Sequence, residues 1–386
     1  MASALFQRAR AALEAHPTLR PGDRIVAAMS GGVDSSVMAA LLHRSGYQVV
    51  GISMHLFDKG DTPAGGGRCC TLDDVQDARR VAQEQGFPHF VMGFEDAFRG
   101  RVIEPFIQAY LDGVTPSPCI LCNQHLKFSG LLLRARELGA AFVATGHYAR
   151  AAWDGSRWRL HRAEDPEKDQ SYFLFHHTQA TLARTLFPLA GFTKAEVRQL
   201  GAELGLHLAD KSESQEVCFV TQDRYDAFIE AEGRAPDLGP GEIRHQDGRL
   251  LGHHRGHWRH TIGQRRGLGV SHSAPLYVVA TDPATNTVVV GPESALRGWS
   301  LVAREASWVG PAPTGPFPCQ ARIRSRAPEA EARVEPLAGG RLRVTFTDPQ
   351  RAIAPGQAVV FYQEGEVLGG AWIERDAGAG PQIPRI

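Results

Sequence analysis

Cys119 and Cys122 stand three residues apart in Thr115-Pro116-Ser117-Pro118-Cys119-Ile120-Leu121-Cys122-Asn123, and Cys218 follows far downstream. Thiols in such a pattern serve either as sulfur nucleophiles or as ligands for a soft metal. A second reactive stretch is Ser30-Gly31-Gly32-Val33-Asp34-Ser35-Ser36. Glycines at a strand-to-helix turn leave backbone N–H groups free at a helix N-terminus, where phosphate can be held. The lysine of G-x-x-x-x-G-K-[ST] is missing, so the common P-loop pattern is not met. A glycine turn with a Ser/Asp helix cap is the plainer reading of a shorter string.

The elements that must position these residues follow from apolar patterning. Residues 24–29 read as a buried strand, 37–42 as a helix, and 48–54 as a second strand ending in Ser53-Met54-His55. Thr71 and the acids Asp73 and Asp74 mark the start of a helix that runs to about Gln85 and is closed by Gly86. Strands at 88–92 and 141–145 follow, the latter leading into Gly146-His147-Tyr148. Such alternation means a parallel sheet with crossover helices, and ligands bind at the carboxyl ends of its strands. The 30–36 loop lies there, and Met54 falls at the expected adenine position. Residues 101–112 read as a helix. Two prolines discourage helix before the cysteine pair, and 124–138 is helical, so Cys122 is expected close to a helix N-terminus, whose dipole favours thiolate. Thr193-Lys194-Ala195-Glu196 is a capping box.

With 386 residues, two or three domains are expected. The 42 basic and 42 acidic side chains cancel, so only local clustering can speak for nucleic acid. No apolar run approaches the roughly 18 residues that span a bilayer, and the N-terminus lacks an apolar signal core, so no membrane association is expected. Six cysteines in so long a chain do not make a disulfide scaffold; a reducing, cytoplasmic setting is expected. Cys69 and Cys70, at the end of a glycine-rich loop, are read as packing or loop residues. Between 244 and 266 lie six arginines and five histidines against one acid, Asp247, a basic patch with Trp258 able to stack on a base. Further on, 276–280 and 287–290 form a hairpin pattern, and 321–326, 332–334, 342–346, 358–362 and 367–373 read as strands of a small antiparallel barrel. Arg322, Arg324 and Arg326 alternate, which would put three charges on one strand face. The 376–386 stretch reads as a loose tail.

The Ser-Gly-Gly-x-Asp-Ser string resembles the loop of the ATP pyrophosphatases. Together with Cys122-Asn-Gln-His-Leu-Lys-Phe128, Ala144-Thr-Gly-His-Tyr148, Lys168-Asp-Gln-Ser-Tyr-Phe-Leu174, Ser214-Gln-Glu-Val-Cys-Phe219, Thr261-Ile-Gly-Gln-Arg265 and Pro355-Gly-Gln357, it resembles the tRNA-specific 2-thiouridylases along nearly the whole chain. The resemblance implies an α/β protein in three parts. These are a parallel-sheet, adenine-nucleotide α-hydrolase-like catalytic domain (1–211), a small central tRNA-contacting domain (212–274) and a C-terminal antiparallel β-barrel (275–386). It implies ATP-dependent 2-thiolation of the wobble uridine of tRNA, with release of AMP and pyrophosphate. ATP would be bound by Ala28, Met29, Ser30, Gly31, Gly32, Val33, Asp34, Ser35, Met54 and Gly146, with Mg2+. The tRNA would be contacted by Ser117, Pro118, Cys119, His147, Lys168, Asp169, Gln170, Arg324, Ser325 and Gln357. Cys218 would carry a persulfide delivered by a sulfur-relay protein or cysteine desulfurase, and Cys122 would be its partner nucleophile, in a monomer or weak dimer.

Where that family usually has Asn-Pro-Asp, this chain has Ser117-Pro118-Cys119, so the aspartate's acid–base role does not carry over. Cys119 is then a neutral replacement, a resolving thiol that pairs with Cys122, or, with Cys122 and Cys218, a ligand of a three-cysteine [4Fe-4S] cluster whose open iron would bind hydrosulfide. Structural zinc normally takes four ligands, and Cys319, in another domain, is assigned to packing. Two other functions remain open: a different adenylating enzyme with this loop, such as an amidotransferase or ligase, and a non-catalytic tRNA-binding protein.

Overall fold

Alternate residues of the first strand, β1 (Arg24–Ala28), turn to opposite sides, and both sides are apolar: Ile25 and Ala27 on one, Val26 on the other. A strand of this kind needs cover on both faces. The computed structural model, which describes residues 3–57, 72–208, 211, 217–220 and 224–375, supplies it. After β1 come β2 (Gln48–His55), β3 (His89–Gly93), β4 (Phe142–Ala144), a hairpin of β5 (Arg150–Trp153) and β6 (Trp158–His161), and β7 (Thr185–Leu186). The parallel sheet runs β3-β2-β1-β4-β7. Helices α1 (Ala4–Glu14), α2 (Val33–Arg44) and α3 (Leu72–Gln85) pack on one face. On the other lie α4 (residues 95–111) and α5 (residues 118–137), each with a π-helical stretch inside it. Helix α6 (Lys194–Glu203) joins the first layer and α7 (Tyr225–Ala231) the second. The loop with Cys69 and Cys70, the Thr71 cap, residues 214–216 of the Cys218 motif and the 376–386 tail lie outside the described residues.

Two helix starts differ from expectation, and both bear on the site. Helix α2 begins at Val33, with Gly32 extended at its N-cap, so Asp34, Ser35 and Ser36 sit within its first turns. Helix α5 begins at Pro118, before the cysteine pair. Proline is favoured at a first helical position, where its missing N–H costs nothing. Cys119 therefore occupies the first turn, and Cys122 lies a turn further in.

The second domain is built on a four-stranded sheet of β8 (Gly241–His245), β9 (Leu250–His254), β10 (Tyr277–Asp282) and β11 (Thr287–Gly291), in the order β10-β11-β8-β9. The expected 276–290 hairpin exists, but it belongs here: β11 pairs in parallel with β8, and Val278, Val288 and Val290 bury Ile243. The boundary expected at 274/275 thus cuts a sheet and is corrected. Trp258 is also corrected as a stacking residue. It is 2% exposed, packed in the second core of the first domain, with the Arg259 guanidinium over its ring. Arg259 in turn pairs with Asp226 and Glu230, and Arg244 with Glu242, so much of the basic run is neutralised in place.

Six strands close the C-terminal barrel: β12 (Arg297–Trp308), β13 (Phe317–Arg322), β14 (Ala330–Pro336), β15 (Leu342–Arg351), β16 (Ala358–Gln363) and β17 (Glu366–Ile373), in the ring order β12-β15-β14-β13-β16-β17. Cys319 lies in its core, where burial and then Glu331 push the thiol up to about 12, in keeping with packing. The barrel is not separate from the first domain. Strand β6 pairs with β17 through Leu160 and Val367, and Arg157 and Arg159 clasp Glu366. The arginine alternation does not make a charged face, because β13 ends at Arg322. That side chain is buried against Asp169, 3.1 Å away, and Glu329. Among the described residues no helix is long and apolar enough to cross a membrane.

Candidate nucleotide and thiol site

The 30–36 loop is held open from within. Ser35 Oγ donates to the Gly32 carbonyl at 3.1 Å and accepts from Ser30 N–H at 3.1 Å. Gly31 has φ +73°, and a Cβ there would lie 2.0 Å from the Asp74 carbonyl oxygen, so both its backbone and its lack of a side chain are required. Gly146 brings the end of β4 against the first turn of α2: a Cβ would sit 2.9 Å from Ser35 N. The arrangement leaves room for a phosphate over the loop. Gly31→Ala is expected to cost roughly 1–3 kcal/mol of stability, read by thermal melting.

A cavity of about 400 Å³ opens over this loop. Its wall includes Ala28, Met29, Ser30, Gly32, Val33, Asp34, Ser35, Met54 and Gly146, all of the expected nucleotide residues except Gly31. Cys119, Cys122 and Cys218 line the same cavity, with Pro118, His147, Lys168 and Gln170. Cys119 is exposed, Cys122 is buried at 8%, and Cys218 packs at the edge of the core that holds Cys122 and Phe219. Among the described residues no group of three His, Cys, Asp or Glu side chains is placed to hold a single metal ion. A [4Fe-4S] cluster asks for a different arrangement, one thiolate on each of several irons, and three thiols on one cavity wall are the donor type it takes.

The other expected RNA residues are placed apart from the cavity wall. Gln357 Nε2 donates to the Thr115 and Pro116 carbonyls at 3.2 and 2.9 Å, and Thr115 N–H donates to the Pro355 carbonyl. The Pro355-Gly356-Gln357 turn thus braces the segment that delivers Ser117, Pro118 and Cys119. Asp169 is 1% exposed in its side chain; besides Arg322 it accepts from Ser171 N–H and Oγ. Arg324 donates to the Arg351 carbonyl, next to Ser325. Gln170 is tied to Tyr148, accepting its N–H at 3.0 Å.

Three side chains of the site went unread in the sequence. Tyr148 donates to Asp34 Oδ1 at 2.8 Å, Lys194 to the same oxygen at 2.7 Å, and Lys211 to the Gly31 carbonyl at 3.0 Å. Lys194 had been visible only as part of a capping box, which is present.

Behind the cavity stands a cluster of histidines. His147 bonds Thr145 Oγ1, and the rings of His177 and Phe128 lie 4.2 Å apart. Burial, then Lys127 and the neighbouring rings, hold His147 well below its ordinary value; burial and then His125 bring His176 to about 3. In the unfolded chain these groups titrate near 6.5. As pH falls from about 6.5 towards 3, the unfolded chain takes up protons that the fold refuses, so stability is full above 6.5 and lost below it. Each such histidine contributes a slope of about 1.4 kcal/mol per pH unit. His176→Phe is expected to flatten the acid side of a urea-midpoint profile by about one proton.

Residues 23–222 match the family model of the tRNA methyl transferase HUP domain, 228–292 that of the tRNA methyl transferase PRC-barrel domain, and 299–373 that of the aminomethyltransferase beta-barrel domain. The tRNA-specific 2-thiouridylase MnmA of Geobacter metallireducens is 51% identical over 356 residues, 91% of this chain and 96% of its own. The chain belongs to the tRNA-specific 2-thiouridylase family. The MnmA of Rhodospirillum centenum is 48% identical, with 93% of each chain covered. A solved structure of the U34-tRNA thiolase NcsA from Methanococcus maripaludis, with its [4Fe-4S] cluster, is similar at 17% identity and a TM-score of 0.36, over 59% of this chain and 70% of that one.

Proposed function

We propose that this protein thiolates the C2 position of the wobble uridine of tRNA, in the cytoplasm, using ATP and releasing AMP and pyrophosphate. The observation that carries this reading is that a glycine-rich phosphate loop and the thiols of Cys122 and Cys218 line one cavity. An adenylating enzyme that made a carbon–nitrogen bond would have no use for both thiols there.

In the first half-reaction the C2 oxygen attacks the α-phosphorus, the bond to the β-phosphoryl oxygen breaks, and the N3 proton is lost to water. Backbone N–H groups of the loop and the first turn of α2 stabilise the phosphoryl charge. Magnesium is commonly held by one or two carboxylates plus phosphate oxygens; Asp34 and Asp74 both line the cavity and suit that ligand set, and the ion would screen the triphosphate. In the second half-reaction the outer sulfur of a Cys218 persulfide attacks C2 and AMP leaves. Cys122 thiolate then attacks the Cys218 sulfur, releasing the 2-thiouridine and leaving a Cys122–Cys218 disulfide for an external thiol to reduce. Cys119, in the first turn of α5, serves as a resolving thiol, a neutral replacement or, with Cys122 and Cys218, a ligand of a [4Fe-4S] cluster.

Lys168 and Gln170 at the cavity mouth, with His147 behind them, receive the uridine. Asp169 and Gln357 act on the RNA indirectly, by fixing the segments that carry Lys168 and Cys119, while Arg324 and Ser325 contact it from the barrel. The sulfur reaches Cys218 from a relay protein or cysteine desulfurase. The direct test is nucleoside analysis of tRNA incubated with protein, ATP and a persulfide donor: 2-thiouridine is expected, and its absence alongside AMP release would point to a different acceptor.

A further inference from the structure

A glycine loop without its lysine supplies no side-chain cation of its own to a departing pyrophosphate. Two ammonium groups from the far end of the same domain approach it. Lys194, the first residue of α6, lies 2.7 Å from Asp34 Oδ1, with a side chain 13% exposed. Lys211 reaches the other end of the loop, 3.0 Å from the Gly31 carbonyl, and is held by Asp74 at 2.7 Å and Asp77 at 2.6 Å. Both lysines line the cavity. Burial works against the Lys211 ammonium, but its bonds to the two aspartates outweigh that and raise its pKa, so it is charged.

We propose that Lys194 and Lys211 are the cationic ligands of the β- and γ-phosphates, supplied in trans to the loop. The inference rests on the ATP-dependent reading above. When the C2 oxygen bonds to the α-phosphorus, the electron pair of the broken α–β bridge stays on pyrophosphate, and these two charges compensate it. Their carboxylate partners hold them beside the loop before nucleotide arrives, so little ordering is needed on binding.

The test compares ATP with AMP, which lacks the groups in question, by calorimetric titration of the full-length protein. Lys194→Gln and Lys211→Gln are each expected to weaken ATP about tenfold or more, the range of a lost charge-assisted bond, while AMP changes less than twofold. Lys→Arg at either position should retain most of the preference for ATP. Equal weakening of ATP and AMP, or unchanged ATP binding, overturns the proposal. If a glutamine variant fails to fold, the arginine variants decide: loss of the ATP-over-AMP preference in a folded arginine variant also overturns it. Wild-type protein that binds ATP but releases no AMP with tRNA would contradict the thiolation reading and leave the ATP/AMP contrast intact.

Discussion

Cys218→Ser is expected to lower 2-thiouridine formation by roughly 10³-fold or more, while tRNA-dependent pyrophosphate release continues near the parent rate. The two proposed half-reactions would use different parts of one cavity. In the proposed function, oxygen activation falls to the 30–36 loop and Asp34 and sulfur delivery to thiols contributed by α5 and by the segment around Val217 and Cys218, which line that cavity together. A serine hydroxyl is nearly the size of the thiol but cannot hold a persulfide, so the substitution separates sulfur transfer from packing. Cys122→Ser should differ in kind. Persulfide loading of Cys218 persists, but the attack that frees the product is missing, so a thiol-reversible protein–tRNA adduct accumulates, detectable on non-reducing gels. Cys119→Ser should retain thiolation if Cys119 is a neutral replacement. Loss of pyrophosphate release in Cys218→Ser would mean that the two steps are not separable.

The second large effect falls outside the cavity. Asp169→Ala should destabilise the protein by about 3–5 kcal/mol, because it strands Arg322, whose side chain is 7% exposed, next to Glu329 alone. Asp169 also accepts from Ala163 N–H and Ser171 N–H, which fix the Lys168–Gln170 strip, and its pair with Arg322 ties that strip to the barrel. The double change Asp169→Leu with Arg322→Met removes both charges and should cost clearly less than Asp169→Ala alone. Denaturant midpoints measure this. A single-variant cost under about 1 kcal/mol would show that the pair is a surface-like contact.

What could be read from the sequence was local. The strand–loop–helix around Ser30, the 193–196 capping box and the 276–290 hairpin each depend on residues within one turn or a few positions of each other, and each is present. Pairings between distant residues were not legible. Nothing near Lys194 or Lys211 says that they meet Asp34 and Gly31, and nothing near Thr287 says that β11 pairs with β8. Composition misled in two places for one reason: an arginine-rich run reads as basic until its acids are known. Asp226, Glu230 and Asp169 come from other elements and engage Arg259, read as part of a basic patch, and Arg322, read as part of a charged strand face, in structural ion pairs. Proline misled in a third, since Pro118 opens α5 rather than delaying it. The three cysteines were legible as a set, and the fold brings all of them to the wall of one cavity.

In the proposed function, ATP cleavage and sulfur insertion are consecutive steps at that cavity. The measurement that tests it most directly is a single-turnover reaction of the protein, pre-loaded with persulfide, with unmodified tRNA and ATP, quantifying AMP and 2-thiouridine in the same samples by mass spectrometry. Equal amounts of the two are expected, and omitting ATP should abolish both. Thiouridine formed without ATP, or AMP formed in full with no thiouridine, would contradict it.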